Sequence, residues 1–444
     1  MAGGTFYSQN KIRPGAYINF KKEEEKIESN GTRGIVAVCL DLDWGADGEI
    51  IELTPADMSN GTSLEKVGFM ASDESAKIVN AILANASLAK IYRLNKGGAK
   101  ANTTSGNLTV TAKCNGTFGN KIAILITSVG TNVFEVKTFA DGYLVDTQRV
   151  GTIDGLEDNA FVEFSGTGAL AAISTSKLLT GGTNGVTTPT TVYAEFFELL
   201  KNVRFNVLPV CNNRTTINPL IPNFVKTMRD DEGKYIQAVV SNYDEANSEG
   251  IINNVCGAVI NNVTYSPEEF TAYVAGMTAG ASATESNTGK VITGATSIVG
   301  ALAHSEIEAA LKLGKFVLSA NQDGGIKVEK DINSLHDYSE DLDYNFTKNR
   351  VIRILDEIGS SIQNIWENTY LGKVSNNEVG RAMFKSSIIT YLQSLQNIGA
   401  IRDFAGADDV EVQAGDTIDA VVADLRVKPV DAMEFLYLTV NVAQ

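Results

Sequence analysis

FNVLPV at 205–210 and IQAVV at 236–240 are short apolar runs rich in branched residues, and 219–230 between them has helical spacing. Farther on, Ser266-Pro267-Glu268-Glu269 has the make-up of a helix start. Serine stands at the N-cap, proline at the first helical position, and glutamate three residues after the serine. Strand-like runs return at 315–319 and 325–328. Strands that alternate with helices predict an α/β layer on a largely parallel sheet.

Toward the N-terminus, GIVAVCL at 34–40 and KIYRL at 90–94 read as strands. Between them Ala76, Val79, Ile82 and Leu83 fall at helical spacing, with Ser72 a cap for 72–85. The acidic stretch with Asp41, Asp43 and Asp47 resembles a calcium loop only in part. The glycine and glutamate such a loop needs at set offsets are absent, so it reads as an acidic loop. From 96 to 184 Thr, Gly, Asn, Ser and Val dominate. Runs at 108–112, 122–126, 133–137 and 161–164 alternate like short strands, punctuated by Gly116, Gly119, Gly130, Gly142 and Gly151. They predict a small all-β domain, and Gly97-Gly98 and Gly181-Gly182 at its flanks make it an insertion. Past Pro189, Thr190 or Thr191 can cap a helix carrying Val192, Phe196, Leu199 and Leu200. Ser305 and Glu308 repeat the capping-box spacing.

Toward the C-terminus, 349–370 puts Val351, Ile354, Leu355, Ile358, Ile362, Ile365 and Trp366 on one helical face. A second helix, about 376–396, carries Val379, Met383, Ile388, Leu392 and Leu395. An acidic loop at 403–419 leads to a strand-like run at 421–427. The chain then reads VDAMEFLYLTVNVAQ from Val430 to Gln444. Leu436, Leu438, Val440 and Val442 alternate with Phe435, Tyr437, Thr439 and Asn441, the period of a strand with one buried face. A bare apolar strand invites aggregation, so this one must pair with its own domain or with another copy. Ala16, Ile18 and Phe20 alternate with Tyr17 and Asn19 near the other end. Both ends are therefore expected to be arms that add strands to neighbouring subunits.

The 444 residues suffice for about three domains, and the formal net charge of −16 argues against nucleic acid or an anionic membrane as partner. Four widely spaced cysteines read as buried thiols in a reducing compartment, and no apolar run is long enough for a membrane span. Synthesis and solubility in the cytoplasm are expected. Catalysis finds little footing. His304 precedes the Ser305 cap, and His336 sits in a polar loop without a nucleophile motif. Gly294–Gly300 lacks the lysine of a phosphate loop and reads as a flexible loop. Acidic pairs such as Asp230-Asp231 and Asp408-Asp409 read as solvated faces. Arg350 and Arg353, one helical turn apart, could meet a neighbour's carboxylates. No catalytic, cofactor or metal site is expected.

NKIRPGAYINF at 10–20, YRLN at 92–95 with GGAKA at 97–101 and LTVTAK at 108–113, VEKDINSL at 328–335, and KNRVIR at 348–353 are together specific. Through them the chain resembles the tail sheath proteins of contractile phages and R-type bacteriocins, in particular sheaths of Gram-positive prophages. The resemblance implies a subtilisin-like α/β core without a working triad, an inserted small all-β domain and an α+β C-terminal domain. Its divisions would be an arm at 1–20, the first part of the core at 21–95 and the insertion, on the outer surface, at 96–184. The α/β domain would then span 185–334, the C-terminal domain 335–428 and the terminal arm 429–444. It also implies a structural subunit of stacked hexameric rings around a tail tube, bounded by a baseplate and tail terminator. Contraction would drive the tube through a cell envelope, and the subunit would belong to a virion tail or bacteriocin particle assembled in the host cytoplasm. The exchanged strands would be Ala16, Tyr17, Ile18, Asn19 and Phe20 at one end and Glu434 through Val442 at the other. Alternatives are a hydrolase-like α/β enzyme with an inserted β domain, and another tail or coat protein.

Overall fold

The computed structural model describes residues 33–211 and 216–442, together with the backbone of 2–4 and 15–17. Its centre is a seven-stranded sheet. The strands in chain order are β1 (Ile35–Leu40), β2 (Ile50–Leu53), β3 (Leu88–Arg93), β4 (Val207–Pro209), β5 (Gln237–Ser241), β6 (Ile251–Asn254) and β7 (Lys315–Phe316). Across the sheet they run β7-β6-β5-β4-β1-β3-β2, every pair parallel except β3 with β2. A parallel sheet covered on both faces needs apolar residues pointing both ways. β1 supplies them: Val36, Val38 and Leu40 enter one core, Ala37 and Cys39 the other. Helices α1 (Lys77–Leu83) and α3 (Pro267–Gly280) cover the first face, and α2 (Pro189–Leu200) covers the second.

The helix starts separate good local signals from poor ones. Ser266 caps α3 as its sequence suggests: its Oγ accepts from Glu269 N at 3.3 Å, and its own N donates to the Glu269 carboxylate at 2.9 Å. Three other starts differ from expectation. A 3-10 turn, Glu74–Ala76, precedes α1, and Asp73 rather than Ser72 closes that corner by accepting from Met70 N. α2 begins two or three residues earlier than expected, at Pro189 after Thr188, because proline fits the first helical position. The helix His304–Lys312 starts after Ala303, whose N donates to the Glu306 carboxylate at 2.7 Å; Ser305 lies inside it. Residues 295–299 of the glycine-bearing stretch form a strand beside 257–260 rather than a loop.

Residues 100–178 fold into two antiparallel sheets, one of four strands and one of three. They enclose a core that includes Phe118, Ile124, Val136 and Phe161. Strands at 100–105 and 143–150 were not expected, because their alternation is largely polar. Trp44, from the acidic loop after β1, packs into that core against Phe118 and Phe161. The acidic loop is thus a fastener. Arg93, fully buried, donates to Gly45 O and Asn115 O at 3.0 Å each and pairs with Asp47 at 3.3 Å, while Asn184 donates to Asp43 at 2.6 Å. Chain entry and exit meet there: Gly185 N donates to Asn95 O at 3.0 Å, and a Cβ on Gly98 would lie 1.8 Å from Thr183 O.

The C-terminal part is built on α4 (Asn349–Ile365), which runs into a π turn at Trp366–Tyr370, and α5 (Glu378–Asn397). Ile354, Ile358, Phe384, Ile388 and Leu392 form their shared core. Val379 and Met383, expected on the apolar face of α5, are instead exposed, and Phe384 and Tyr391 fill that face. The expected acidic loop holds a strand, β8 (Val410–Ala414), which pairs antiparallel with β9 (Val421–Leu425).

Candidate functional site

The C-terminal arm leaves this unit at a buried polar cluster. Pro429 bridges to Ile401, and Val430 N donates to Ala400 O at 2.9 Å, so the chain is still part of the domain there. Four residues on, Glu434 turns inward. One carboxylate oxygen accepts from Thr288 Oγ at 2.8 Å, and the other accepts from Lys348 Nζ. The side chains of Glu434 and Lys348 are each 6% exposed, and Asp431 lies 3.5 Å from the same ammonium. Burial pulls the Lys348 pKa down, but the hydrogen bond and negative charge of Glu434 outweigh it, so the net direction is up.

Behind this clasp the network continues into the protein. Thr288 Oγ also accepts from Asp331 N at 2.9 Å. The Asp331 carboxylate accepts from Arg353 at 3.0 Å, Asn349 at 2.9 Å and Asn287 N at 3.0 Å. Asn349 accepts in turn from Gln237 of β5 at 3.1 Å. Asp331, Asn349, Arg353 and Gln237 are all buried. A chain of hydrogen bonds therefore runs from the central sheet, past the N-terminal end of α4, to the arm. Isolated buried charges would be prohibitive, but each here has an opposite charge or a hydrogen-bonding partner.

Beyond Glu434 the environment changes within one residue. Phe435 lies over Lys330, 5.6 Å from its ammonium, and is mostly exposed. Leu436, Tyr437, Leu438, Thr439, Val440, Asn441 and Val442 are all exposed, Tyr437 at 92%. No described residue forms a strand with them. The free segment thus starts at Phe435. Glu434, expected within the exchanged strand, is held on its own chain because its carboxylate is buried against Lys348 and Thr288. Arg353 is likewise corrected: fully buried on Asp331, it presents nothing to a neighbour, whereas Arg350 is half-buried. At the other end, Gly15–Tyr17, which includes Ala16 and Tyr17, pairs parallel with Ala2–Gly4. Ile18, Asn19 and Phe20 lie outside the described residues.

Family models match almost end to end after residue 94: the phage tail sheath beta-sandwich domain at 95–184, the central domain at 185–334 and the C-terminal domain at 341–443. A crystal structure of the sheath tail protein of Desulfitobacterium hafniense is 37% identical, with 94% of this chain and 97% of that one covered, at a TM-score of 0.83. The chain belongs to the phage tail sheath family. The sheath tail protein Lin1278 of Listeria innocua superposes at a TM-score of 0.79, 32% identical, covering 90% of this chain and 93% of that one. Among curated relatives, the uncharacterized protein YqbK and the phage-like element PBSX protein XkdK of Bacillus subtilis (strain 168) are 32% and 30% identical, each over the whole of both chains. The helical sheath of the anti-feeding prophage in its contracted state shares the fold at a TM-score of 0.59, 13% identical, with 97% of this chain and 99% of that one covered.

The phage tail sheath family is a family of structural proteins. His304 is 90% exposed and faces Glu308, while His336 Nδ1 is bonded to Ser334 O. Among the described residues no cluster of His, Cys, Asp or Glu could hold a metal ion. Sequence reasoning missed Lys348, Thr288 and Asp331. Two of them lie within stretches that carry the family likeness, 328–335 and 348–353, but no spacing rule connects them to Glu434.

Proposed function

We propose that this chain is the repeating subunit of a contractile sheath: stacked hexameric rings around a tail tube, between a baseplate and a terminator, on a virion tail or bacteriocin particle. Contraction to a shorter, more stable packing drives the tube through a target envelope without catalysis. The carrying observation is that residues 435–442 are uncharged, strand-patterned and exposed while Glu434, immediately before them, is locked to its own domain. Such a segment belongs on another subunit's sheet edge. The β8–β9 hairpin, a sheet of only two strands with both outer edges unpaired among the described residues, suits it as receiver. Each donated strand gains about four backbone hydrogen bonds of roughly 0.5–1.5 kcal/mol net. Modest singly, these links act together along a lattice. The N-terminal segment at 16–20 makes the second coupling and Arg350 an inter-subunit charge contact. The parallel sheet with helices on both faces supports a subtilisin-like core that serves as a rigid body.

The test is removal of 436–444, which leaves the Glu434 clasp in place. The shortened chain is expected to stay folded and soluble and to form no tubes or rings under negative-stain microscopy. Tubes from that truncation would overturn the arm reading.

A further inference from the structure

At the far end of α4 lies an apolar groove of about 430 Å³, between the π turn, the start of α5 and the tip of the β8–β9 hairpin. Its floor is aromatic: Phe384 packs edge-on against Trp366 and Tyr370, with centroids 5.1 and 5.0 Å away. Leu371 and Ile418 stand at its mouth, Ile418 94% exposed. The groove is preformed. Asn376 Nδ2 donates to Ile418 O and Ala420 O, both at 2.9 Å, and Arg381 donates to Asn376 Oδ1 at 2.8 Å, which ties the hairpin tip to α5. Val421, the first residue of β9, lines it too. A strand added at that end of the hairpin would therefore carry alternate side chains over the groove.

We propose that this groove receives the apolar face of a second copy's terminal arm, with Leu438 as the seated residue. The proposal rests on the strand-exchange reading above and adds a pocket to it. Three observations select the occupant. Segment 435–442 carries no charge, which matches a groove floored by three aromatic rings. Leu436, Leu438, Val440 and Val442 form one face at period two, all exposed and unpartnered among the described residues. The chain's own arm is too short. Phe435 sits on Lys330 beside the N-terminal end of α4, and the groove opens past its C-terminal end, about 25 Å away for a helix of 17 residues. Residues 436–442 span roughly 23 Å fully extended, so Leu438, third in that run, falls far short.

The test places a benzophenone photocross-linker at position 438, and separately at 437, in the full-length chain. Assembly from equal parts of normal and heavy-isotope subunits distinguishes links within a copy from links between copies. Position 438 is expected to link between copies to peptides bearing 366–376 or 418–421, and position 437, on the opposite face, about tenfold less. Ile418→Glu and Leu371→Glu, at exposed sites that leave the fold intact, are each expected to cut the 438 yield about tenfold, since a carboxylate at the mouth must be desolvated. Links between copies that map elsewhere overturn the groove and leave strand exchange standing. Links confined to one copy overturn both.

Discussion

Residues 430–434 and 435–442 are neighbours in sequence, and the first five give little hint that they differ from the rest. The environment of Glu434, which closes the first group, is opposite to that of the eight residues after it. Glu434 is clasped by Lys348 and Thr288, and through Thr288 and Asp331 it is wired to the central sheet. Eight residues follow with exposed side chains and no strand partner among the described residues. The difference teaches that an arm needs a rigid root as much as a sticky tip. A strand exchanged by a loosely hinged segment would lose its binding energy to the entropy of fixing that segment. The clasp removes that cost beforehand.

The largest effect should come from the tip. Loss of 436–444 abolishes polymerisation with no more than a few tenths of a kcal/mol change in the subunit, because exposed residues remote from caps and cores are near neutral; sedimentation velocity and urea titration check the two halves. Next come substitutions behind the root. Asp331→Ala leaves Arg353 buried without its counter-charge and should cost about 3–5 kcal/mol in urea unfolding, as broken buried pairs do. A smaller effect follows from Glu434→Gln, which forfeits a hydrogen bond to a charged group, about 1.5–3 kcal/mol, at the root alone.

That variant also has a pH signature. Because the folded pKa of Lys348 is raised, its contribution is complete below the ordinary lysine value and lost as pH climbs through the raised one. Titration of Lys348 by NMR should give a pKa above the usual ~10.4 in the parent. In Glu434→Gln, where burial is left less opposed, the value should fall. A Lys348 pKa unmoved by that substitution would mean that the clasp does not form. The mildest change belongs to Leu438→Ser: stability should move by no more than the truncation does, with tube yield reduced rather than abolished.

The α/β layer was legible because β1, β4 and β5 are apolar on both faces and Ser266 with Glu269 announces α3 locally. The polar strand at 143–150 was not, since a strand so exposed loses the apolar alternation that marks one. Nor were the helix starts at Pro189, where four threonines compete within two residues, and at Ala303, which has no capping side chain while Ser305 lies two residues on. The period of two in 435–442 could be read; that these residues stand exposed on the lone chain could not. Nor could the clasp: it joins Thr288, Lys348 and Glu434, far apart in the chain, and local patterns carry no information on such meetings. Arg353 was misread for the same reason. Its helical position places it beside Arg350, and only the fold brings Asp331 to it.

Amide hydrogen exchange on dilute subunits and on assembled sheath compares root and tip in one experiment. The Val430 amide, bonded to Ala400 O, should be protected in both states, and the backbone of 435–442 only after assembly, by at least about a hundredfold. Protection of 435–442 already in the lone subunit, or none in the assembled sheath, would contradict the account.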